Sequence, residues 1–508
     1  MPLFDVSALL EEDEATKGLD IPFRFGKSFD VNITLKDGKW QKTDSAEVWS
    51  LKITSDDAYS LNFIFSELYI PEEGEMYIFN EAGSMVYGPV TNRQNDHGKT
   101  FMTDIISGES VVIQVLIPLK TKEKPILTIQ NIVHGYKDIY TDLGYGDSDQ
   151  SYLCNGPYRD AECYRSVMGS AIDGVVQILL SSGFELCSGS LLNNTAQDYR
   201  PFILTAFHCI DLNENNSLEQ SEINIAEDWL VRFGFKHADC AGSTFSNVYT
   251  FDDTHFRAAW DSTDFALVEL QDDILRDQSS VGEKVWLGWN RNNTAATKSY
   301  YLHHPKGDVM KYAYDSDVKV ETNYLGTVPG QNHWYSQLDI GLLEKGSSGS
   351  PIFDQNKRVV GQLHGGNPSC SGSKRYWHGC LHRSWTGGGT DSTRLSNWLD
   401  PIGLGVATLN SVRPEPKYSE SFNVLCSSKT LSVIDLPPGY TFHHWNSSNV
   451  TLSGNTANPV QISPLNQGNA WVEAIVNTGW GLYILNADSF SGILTNLFFS
   501  FSSQNFQA

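Results

Sequence analysis

Short runs of alternating apolar and polar residues constrain the fold of this 508-residue chain more than any other feature of its sequence. The runs FDVNITL, YSLNFIFSELYI and SVVIQVLIP follow a period of two and are separated by Gly, Asn and Asp turns. Successive side chains of a strand point to opposite faces, so these runs predict strands. Helical periodicity is nearly confined to TRLSNWLDPI, where Pro401 would end a short helix near residues 393–402. The fold class is therefore predicted to be all-β.

Changes in pattern divide the chain into five parts. Residues 1–22 are predicted to form a short acidic leader, and the alternating runs of residues 23–135 predict a β-sandwich. The polar, turn-rich residues 136–153 are interpreted as a linker. Short β runs resume in residues 154–410, which fit a two-barrel all-β enzyme. Residues 411–508 open with the Pro-rich stretch RPEPKY and are interpreted as an immunoglobulin-like β module.

Composition narrows the range of partners. The formal charge of −24 argues against a nucleic acid or an anionic membrane surface as partner. No uninterrupted apolar run of about 18 residues occurs, so no membrane span is predicted. The N-terminal stretch MPLFDVSALLEEDEATKG lacks the basic and apolar regions of a signal peptide. We expect a monomeric protein in an open aqueous medium.

The cysteines are concentrated in one part of the chain. Seven lie between residues 154 and 380, one lies at 426, and none precedes 154. This clustering predicts one disulfide-bearing domain and a secreted, extracellular protein, although no signal peptide is visible. Reduced, buried thiols are the alternative. No CxxC pair occurs, so a zinc ribbon is not predicted.

Three stretches carry residue types suited to nucleophilic catalysis. In EKGSSGSPIF, three serines stand in a Gly-rich turn, and a serine becomes a nucleophile when an imidazole can take its proton. FILTAFHC places His208 after an apolar strand, and STDFALVEL places Asp264 before another. An ordinary loop, a structural histidine and a turn-capping aspartate are the alternatives. Together, in the order His208, Asp264, Ser348, they predict a Ser-His-Asp triad.

Glycines select Ser348 among the three serines. Gly346 precedes it by two residues and Gly349 follows it, which gives the turn the freedom to aim two backbone N–H groups at one point. The N–H groups of Gly346 and Ser348 are predicted to form an oxyanion hole. The expected activity is a serine endopeptidase that acts on polypeptides and needs no metal or other cofactor.

These residues lie in longer stretches that resemble the trypsin-like superfamily and, more closely, the bacterial lysyl endopeptidase family. The stretches span nearly all of residues 154–401 and are CSGSLLNNTAQD, LTAFHC, STDFALVEL, HHP, GSSGSPIFDQNKRVVGQLHGG and SWTGGGTDSTRLSNWLDP. Residues 23–135 are similar to the propeptides of exported proteases of this family. The resemblance implies a chymotrypsin-like double β-barrel made as a zymogen, with its own propeptide as a partner that covers the cleft or assists folding.

The resemblance also implies a disulfide pattern. The implied pairs are Cys154–Cys370, Cys163–Cys240 and Cys187–Cys209. Cys380 and Cys426 have no counterpart, and are either free or bonded to each other. Trypsin has an aspartate just before its nucleophile, where this chain has the uncharged Ser347. Activation by an inserted ammonium group is therefore not expected.

Lysine specificity is not predicted despite the resemblance. Counted back from Ser384 and Trp385, Tyr376 occupies the position of the family's pocket carboxylate, and no Asp or Glu lies between residues 355 and 390. Burying a lysine ammonium without a partner costs several kcal/mol. The resemblance places His364 on the pocket wall, where Gly365 and Gly366 would offer backbone groups to an extended substrate. A loose alignment puts Tyr324 in place of a family aromatic.

Two alternatives remain open from the sequence. In HGCLH, His378, Cys380 and His382 would share one face of a strand, which could hold a metal, line a pocket for acidic side chains, or lie at the solvent edge. The whole chain could also be a catalytically inactive homologue that acts in binding or adhesion, although its triad is intact. No HExxH occurs, so a metalloprotease is not predicted.

Overall fold

The structure, a computed structural model, describes most of the chain. The described residues are 4–16, 20–95, 100–140, 159–240, 242, 244–271, 274–275, 284–326, 332–368, 374–414, 417–419, 424–425, 427–436, 440–466, 468–477 and 482–492. They form two compact units, one of residues 1–273 and 285–412 and the other of residues 274–284 and 413–508.

The N-terminal part is one helix followed by strands. Its elements are α1 (Val6–Ala15), β1 (Phe23–Arg24), β2 (Gly26–Thr34), β3 (Lys39–Lys42), β4 (Ala46–Thr54), β5 (Ser60–Tyr69), β6 (Glu75–Asn80), β7 (Val86–Val90), β8 (Phe101–Met102), β9 (Ile106–Ser107), β10 (Ser110–Pro118) and β11 (Ile126–Gly135). The leader is thus partly helical, and Asp5 caps α1 by accepting from the N–H groups of Ser7 and Ala8.

These strands form a β-sandwich. One antiparallel sheet has the order β3-β4-β10-β6-β7 and the other β2-β11-β5-β8. Apolar side chains from both sheets share one core, including Trp49, Phe63, Ile78, Ile113 and Ile132. In the first sheet, the alternation read from the sequence therefore separates a face buried in this core from a partly exposed face, as in β6 and β10.

The central part is also built mainly of strands. Its elements are β12 (Arg159–Asp160), α2 (Arg165–Met168), β13 (Val175–Leu179), β14 (Glu185–Leu192), β15 (Phe202–Ala206), α3 (Gln220–Ala226), β16 (Leu230–Phe233), β17 (Tyr249–Phe251), β18 (Thr254–Trp260), β19 (Phe265–Leu270), β20 (Ser299–His303), β21 (Lys311–Asp315), β22 (Val320–Thr322), β23 (His333–Gln337), β24 (Pro351–Phe353), β25 (Val359–Asn367), β26 (Arg375–Cys380), α4 (Leu381–Ser384) and α5 (Ser396–Leu399).

Two antiparallel sheets organise this part. The first has the order β17-β16-β13-β14-β15-β19-β18, and the second β12-β21-β20-β24-β25-β26-β23-β22. Side chains from both sheets meet in one core, among them Leu204, Leu267, Leu302 and Phe353. The predicted fold class, a chymotrypsin-like double β-barrel with flanking β modules, is confirmed. The short helix expected near residues 393–402 is α5.

The sandwich packs against the first of these two sheets through apolar and polar contacts. Phe25, Ile64, Met102, Leu179 and Leu186 belong to one buried cluster that joins the two. β1, which directly follows the leader, pairs with β14, with Phe23 opposite Leu186. This edge lies close to the residues with catalytic chemistry.

The C-terminal unit is a separate small β structure. Its strands are β27 (Lys417–Tyr418), β28 (Val424–Leu425), β29 (Lys429–Leu431), β30 (Val433–Ile434), β31 (Thr441–Ser448), β32 (Val450–Leu452), β33 (Val460–Pro464), β34 (Gly468–Asn477) and β35 (Leu482–Gly492). Buried residues include Leu431, Trp445, Ile462 and Val472. A search of the described residues of the whole chain finds no helix with the length and apolarity needed to cross a membrane.

A buried ion pair ties the sandwich to the first sheet of the central part. Arg232 Nε lies 3.0 Å from Asp104 Oδ1, and the Arg232 side chain is fully buried. Arg232 also donates to Gln177 Oε1 at 2.5 Å and to the Tyr140 hydroxyl at 3.1 Å. The buried guanidinium charge is therefore balanced by the single carboxylate of Asp104.

We predict that Asp104→Ala lowers the free energy of unfolding of the compact unit that contains both the sandwich and the central sheets by about 3–5 kcal/mol. The reason is that the substitution leaves the Arg232 charge buried without its partner. Urea denaturation measures the loss. The control is Glu81→Ala, which removes the exposed Lys52–Glu81 pair and should cost less than about 1 kcal/mol. Equal losses in the two variants would contradict the prediction.

Candidate active site

Two neighbouring strands bring His208 and Asp264 together. His208 lies in the turn Phe207–Cys209 that follows β15, and Asp264 follows the turn Asp261–Thr263 and precedes β19. β15 and β19 pair with Ala206 opposite Phe265. His208 Nδ1 consequently lies 3.0 Å from Asp264 Oδ2 and 3.1 Å from Oδ1. The backbone N–H of His208 also donates to Oδ1, at 3.1 Å.

This arrangement fixes the ring of His208. With Nδ1–H donating to the carboxylate, Nε2 is left as the basic nitrogen, and it has no hydrogen-bond partner among the described residues. Burial by itself would lower the pKa of His208, but the charge and hydrogen bonds of Asp264 outweigh it and raise the pKa above its ordinary value of 6.5. Burial acts to raise the pKa of Asp264, but the facing imidazoles of His208 and His364 hold it below its ordinary value.

A disulfide fastens the strand that leads to His208. Cys209 is bonded to Cys187 of β14. Cys163 is bonded to Cys240, as the resemblance implied. Cys380 is buried and has no disulfide partner among the described residues. The implied Cys154–Cys370 pair and Cys426 lie outside the described residues.

The turn around Ser348 packs directly on β14 and β15. Ser348 O accepts from the N–H of Ser188 at 2.8 Å. Gly349 has a φ of +79°, and a β-carbon there would lie 2.2 Å from Thr205 Oγ1 and 2.5 Å from Ser188 O. Only glycine fits this close approach. The nucleophile candidate is thus set against the strand that carries the histidine.

The backbone of this turn leaves two N–H groups free of carbonyl partners. Ser347, Gly349 and Ser350 each donate to a backbone carbonyl, whereas among the described residues no backbone acceptor is found for Gly346 or Ser348. Gly346 reaches this geometry with a φ of +90°. These are the two donors that the sequence predicted for an oxyanion hole.

Ser347 has a structural partner. Its Oγ lies 2.8 Å from Nδ1 of His303 in the HHP stretch. Burial lowers the pKa of His303 well below its ordinary value, so the pair is uncharged. The residue just before the proposed nucleophile thus makes a neutral, buried hydrogen bond in this protein, whereas trypsin has a charged aspartate at this position.

A small pocket opens beside Ser348. Its cavity of about 50 Å³ is lined by Leu363, His364, Gly365, Gly366, Tyr376, Leu343, Glu344 and Lys345, and by Asp20 and Ile21 of the leader. The Tyr376 hydroxyl donates to Leu343 O at 3.0 Å and accepts from Leu343 N at 3.1 Å. Tyr376 is thus held in the pocket wall with its polar atom already bonded.

The sequence reasoning missed one acidic residue of this pocket. The Glu344 carboxylate lines the cavity and lies 3.0 Å from Lys306 Nζ. It stands four residues before the proposed nucleophile, outside the segment 355–390 in which an acid was sought. Because Glu344 already has a cationic partner, it is not a free counter-charge for a lysine side chain.

His364 lies between two aromatic rings. Its ring stacks on Tyr324 with centroids 3.6 Å apart, and lies 5.9 Å from the ring of His208. His364 Nδ1 lies 2.9 Å from Nε2 of His333. Burial lowers the pKa of His364 to about 4 and that of His333 to about 3, so both rings are neutral near pH 7. No sequence pattern pointed to His333, which lies at the start of the neighbouring strand β23.

The leader enters this site. The Tyr324 hydroxyl donates to Asp20 Oδ2, and His364 Nε2 lies 3.8 Å from the same oxygen. Burial raises the pKa of Asp20 above its ordinary value, and the negative charge of Asp264 raises it further. The hydrogen bond from Tyr324 and the charges of His208 and Lys345 act in the opposite direction but are weaker in sum. Sequence reasoning did not identify Asp20 as a residue of the site.

The interpretation of HGCLH as one strand face is wrong. β26 ends at Cys380 and His382 lies in α4, so the period of two does not continue. His378 is instead buried beside Tyr301, with ring centroids 5.0 Å apart. Ligand atoms of Cys380, His382 and Glu321 lie within 4.8 Å of one another, but Arg383 already binds Glu321 at 2.7 Å.

Comparisons with known proteins agree with this geometry. Residues 148–378 match the family model of the lysyl endopeptidase C-terminal domain. A lysyl endopeptidase of Pseudomonas aeruginosa is 23% identical over 307 residues, which are 58% of this chain and 62% of that protein. The chain thus spans less than two thirds of the length of that relative.

Solved structures of two proteases show a weaker likeness. The active form of the Rv3671c protease of M. tuberculosis is 13% identical, with a TM-score of 0.28 over 45% of this chain and 85% of that one. A Glu endopeptidase solved with MPD is 20% identical, with a TM-score of 0.28 over 41% and 85% of the two chains. The fold assignment rests on the sheets described above. The likeness to the lysyl endopeptidase family thus concerns residues 148–378, a little less than half of the chain.

Proposed function

We propose that this protein is a secreted serine endopeptidase that hydrolyses peptide bonds of polypeptides through His208, Asp264 and Ser348. The observation that carries the proposal is the buried His208–Asp264 contact beside a glycine turn with two unengaged N–H groups. A family match over residues 148–378 supports the same chemistry.

In the proposed mechanism, Ser348 Oγ attacks the scissile carbonyl while His208 Nε2 takes its proton. The tetrahedral oxyanion accepts from the N–H groups of Gly346 and Ser348. His208 then donates the proton to the leaving amine, and an acyl-enzyme remains on Ser348. Water activated by the same imidazole hydrolyses the ester. Asp264 keeps the ring in the Nδ1–H tautomer and stabilises its charged form.

The absence of a hydrogen bond between Nε2 and Ser348 is compatible with this mechanism. Nε2 has no partner in the described part of the chain, and Ser348 lies on the adjoining turn. In unliganded active sites such contacts are often long and shorten when substrate binds. Here the leader residues Asp20 and Ile21 line the same cavity as Ser348.

The domain roles belong to the same proposal. Residues 154–410 form the protease domain, residues 1–22 and 23–135 act as a leader and an inhibitory propeptide joined by the linker 136–153, and residues 411–508 serve as an accessory immunoglobulin-like module. The leader's position supports the inhibitory role, because its Asp20 carboxyl is bound by Tyr324 beside His364. Disulfides at Cys163–Cys240 and Cys187–Cys209 support an extracellular location.

We predict that Ser348→Ala abolishes covalent labelling by a fluorophosphonate probe, and that His208→Ala slows peptide hydrolysis by about 10⁴-fold or more. The reason is that the serine is a poor nucleophile without a base. Ser350→Ala, in the same turn, is the matched control and should still be labelled. Labelling that persists in Ser348→Ala would refute the assignment of the nucleophile.

The activity should also depend on pH through His208. Only neutral His208 can accept the serine proton, and Asp264 raises the pKa of His208 above 6.5. The labelling rate should therefore rise with pH through a midpoint above 6.5 and fall as the pH drops below it. Asp264→Asn should move the midpoint down and reduce the rate by about 10⁴-fold. A rate that is independent of pH between 5 and 8 would contradict this role.

Lysine should not be the predominant residue at P1, the substrate position that immediately precedes the cleaved bond. Tyr376 is bonded to Leu343 in the pocket, and Glu344 is paired with Lys306. Cleavage sites in a denatured peptide mixture, read by mass spectrometry, measure this preference. Cuts that fall overwhelmingly after lysine, and are lost in Glu344→Gln, would show that Glu344 exchanges its partner for the substrate.

A further inference from the structure

The segment Asp20–Arg24, which joins the leader to the sandwich, lies along the site. At its downstream end, β1 runs antiparallel to β14, with Phe23 opposite Leu186. Two residues after Leu186, the N–H of Ser188 donates to Ser348 O at 2.8 Å. The segment therefore binds here as an added strand beside the turn of the nucleophile.

At its upstream end, the segment enters the pocket. Asp20 and Ile21 line the cavity together with Ser348, Gly365 and Gly366. Since Phe23 is fixed on β14 and Asp20 in the pocket, Ile21 and Pro22 span the stretch that passes Ser348. This is the path that an extended substrate would take through the cleft, so the leader's side chains report which groups each subsite accepts.

The carboxyl of Asp20 fits a built receptor. Oδ2 accepts from the Tyr324 hydroxyl and faces His364 Nε2 at 3.8 Å. Oδ1 lies against Gly365, where a β-carbon would come within 2.1 Å of it. The side chain thus fills a space that exists because residue 365 has no side chain.

Two neutral imidazoles orient the donors of this receptor. His333 Nε2 and His364 Nδ1 are 2.9 Å apart, and His333 Nδ1 is buried without a hydrogen-bond partner in the described residues. If His333 donates from Nε2, His364 accepts at Nδ1 and carries its proton on Nε2, which faces Asp20. The stacked Tyr324 ring holds its hydroxyl at the same oxygen. The Tyr324 hydroxyl thus donates to Oδ2 and Nε2 of His364 faces the same oxygen, which suits a carboxylate, a group that only accepts.

We propose that Tyr324, His364 and Gly365 form a subsite for an acidic side chain on the residue that precedes the P1 residue, and that Asp20 occupies this subsite in the full chain. The inference rests on the proposed function and deepens it, because it names a substrate class: peptides with Asp or Glu two residues before the cut. Ile21 then takes the P1 position. Pro22 follows Ile21 on the other side of the bond that would be cut. Pro22 has no backbone N–H, and it restricts the backbone conformation of Ile21.

The test uses the full chain with Asp20→Ala, which empties the subsite. Peptides identical except for Asp, Glu, Asn, Ala or Lys at the position before P1 are compared by kcat/KM, with Ile at P1. The Asp peptide should exceed the Ala peptide by on the order of tenfold, the usual effect of a hydrogen bond to a charged group. Adding Tyr324→Phe should bring this ratio close to one, whatever its effect on the absolute rate.

A second measurement does not require catalysis. Amide hydrogen exchange of residues 20–24 in the full chain reports how firmly the leader is bound. Asp20→Asn and Tyr324→Phe should each speed this exchange by on the order of tenfold. Glu11→Gln, an exposed acid of α1, is the matched control and should leave it unchanged.

The outcomes separate the two proposals. Loss of both labelling and hydrolysis in every active-site-intact variant, before and after proteolytic release of the proposed propeptide, would contradict the proposed function, and the exchange comparison would still support or overturn the subsite. Active enzyme that cleaves the Asp and Ala peptides equally, or that prefers Lys at this position, would overturn the subsite alone. Exchange that is the same in Asp20→Asn and Glu11→Gln would also overturn it.

Discussion

The buried contact between His208 and Asp264 is the interaction on which the site depends. A carboxylate enclosed by protein is costly unless it is paired, and here it accepts from both the ring and the backbone N–H of His208. The contact exists because β15 and β19 are neighbours in one sheet and both turns lie at the same end. The Cys187–Cys209 bond and the close approach at Gly349 then hold the Ser348 turn against these strands.

Ion pairs between partly buried side chains also hold the leader in place. Asp13 of α1 lies 2.7 Å from Arg24 and 2.6 Å from Lys137, so the helix is fastened where the sandwich meets the central sheets. Lys345, next to Gly346, donates to Thr16 at 3.0 Å. Contacts outside the pocket thus hold α1 near it, while Asp20 and Ile21 line the pocket itself.

Much of the site was predictable because its chemistry is local in sequence. His208, Asp264 and Ser348 each stand beside an apolar strand or a glycine turn, and those patterns are visible without a structure. Tyr376 and His364 were placed through the family resemblance, and the structure puts both at the pocket. Glu344 was missed because the acid was sought after the nucleophile instead of before it. The prediction that HGCLH forms one strand face was wrong, because an alternating pattern does not show where β26 ends and α4 begins.

The all-β class, the position of the cysteine-rich part and the three candidate triad residues could be predicted from the sequence alone, because alternation, spacing and residue type are properties of short segments. The contact of His333 with His364, the pairing of Glu344 with Lys306 and the contact of Asp20 with Tyr324 across 304 positions of sequence became visible only in the folded chain. Such contacts depend on which strands and loops become neighbours. Which strands and loops lie next to each other is set by the packing of whole sheets around shared cores, and no local pattern of residues encodes this packing.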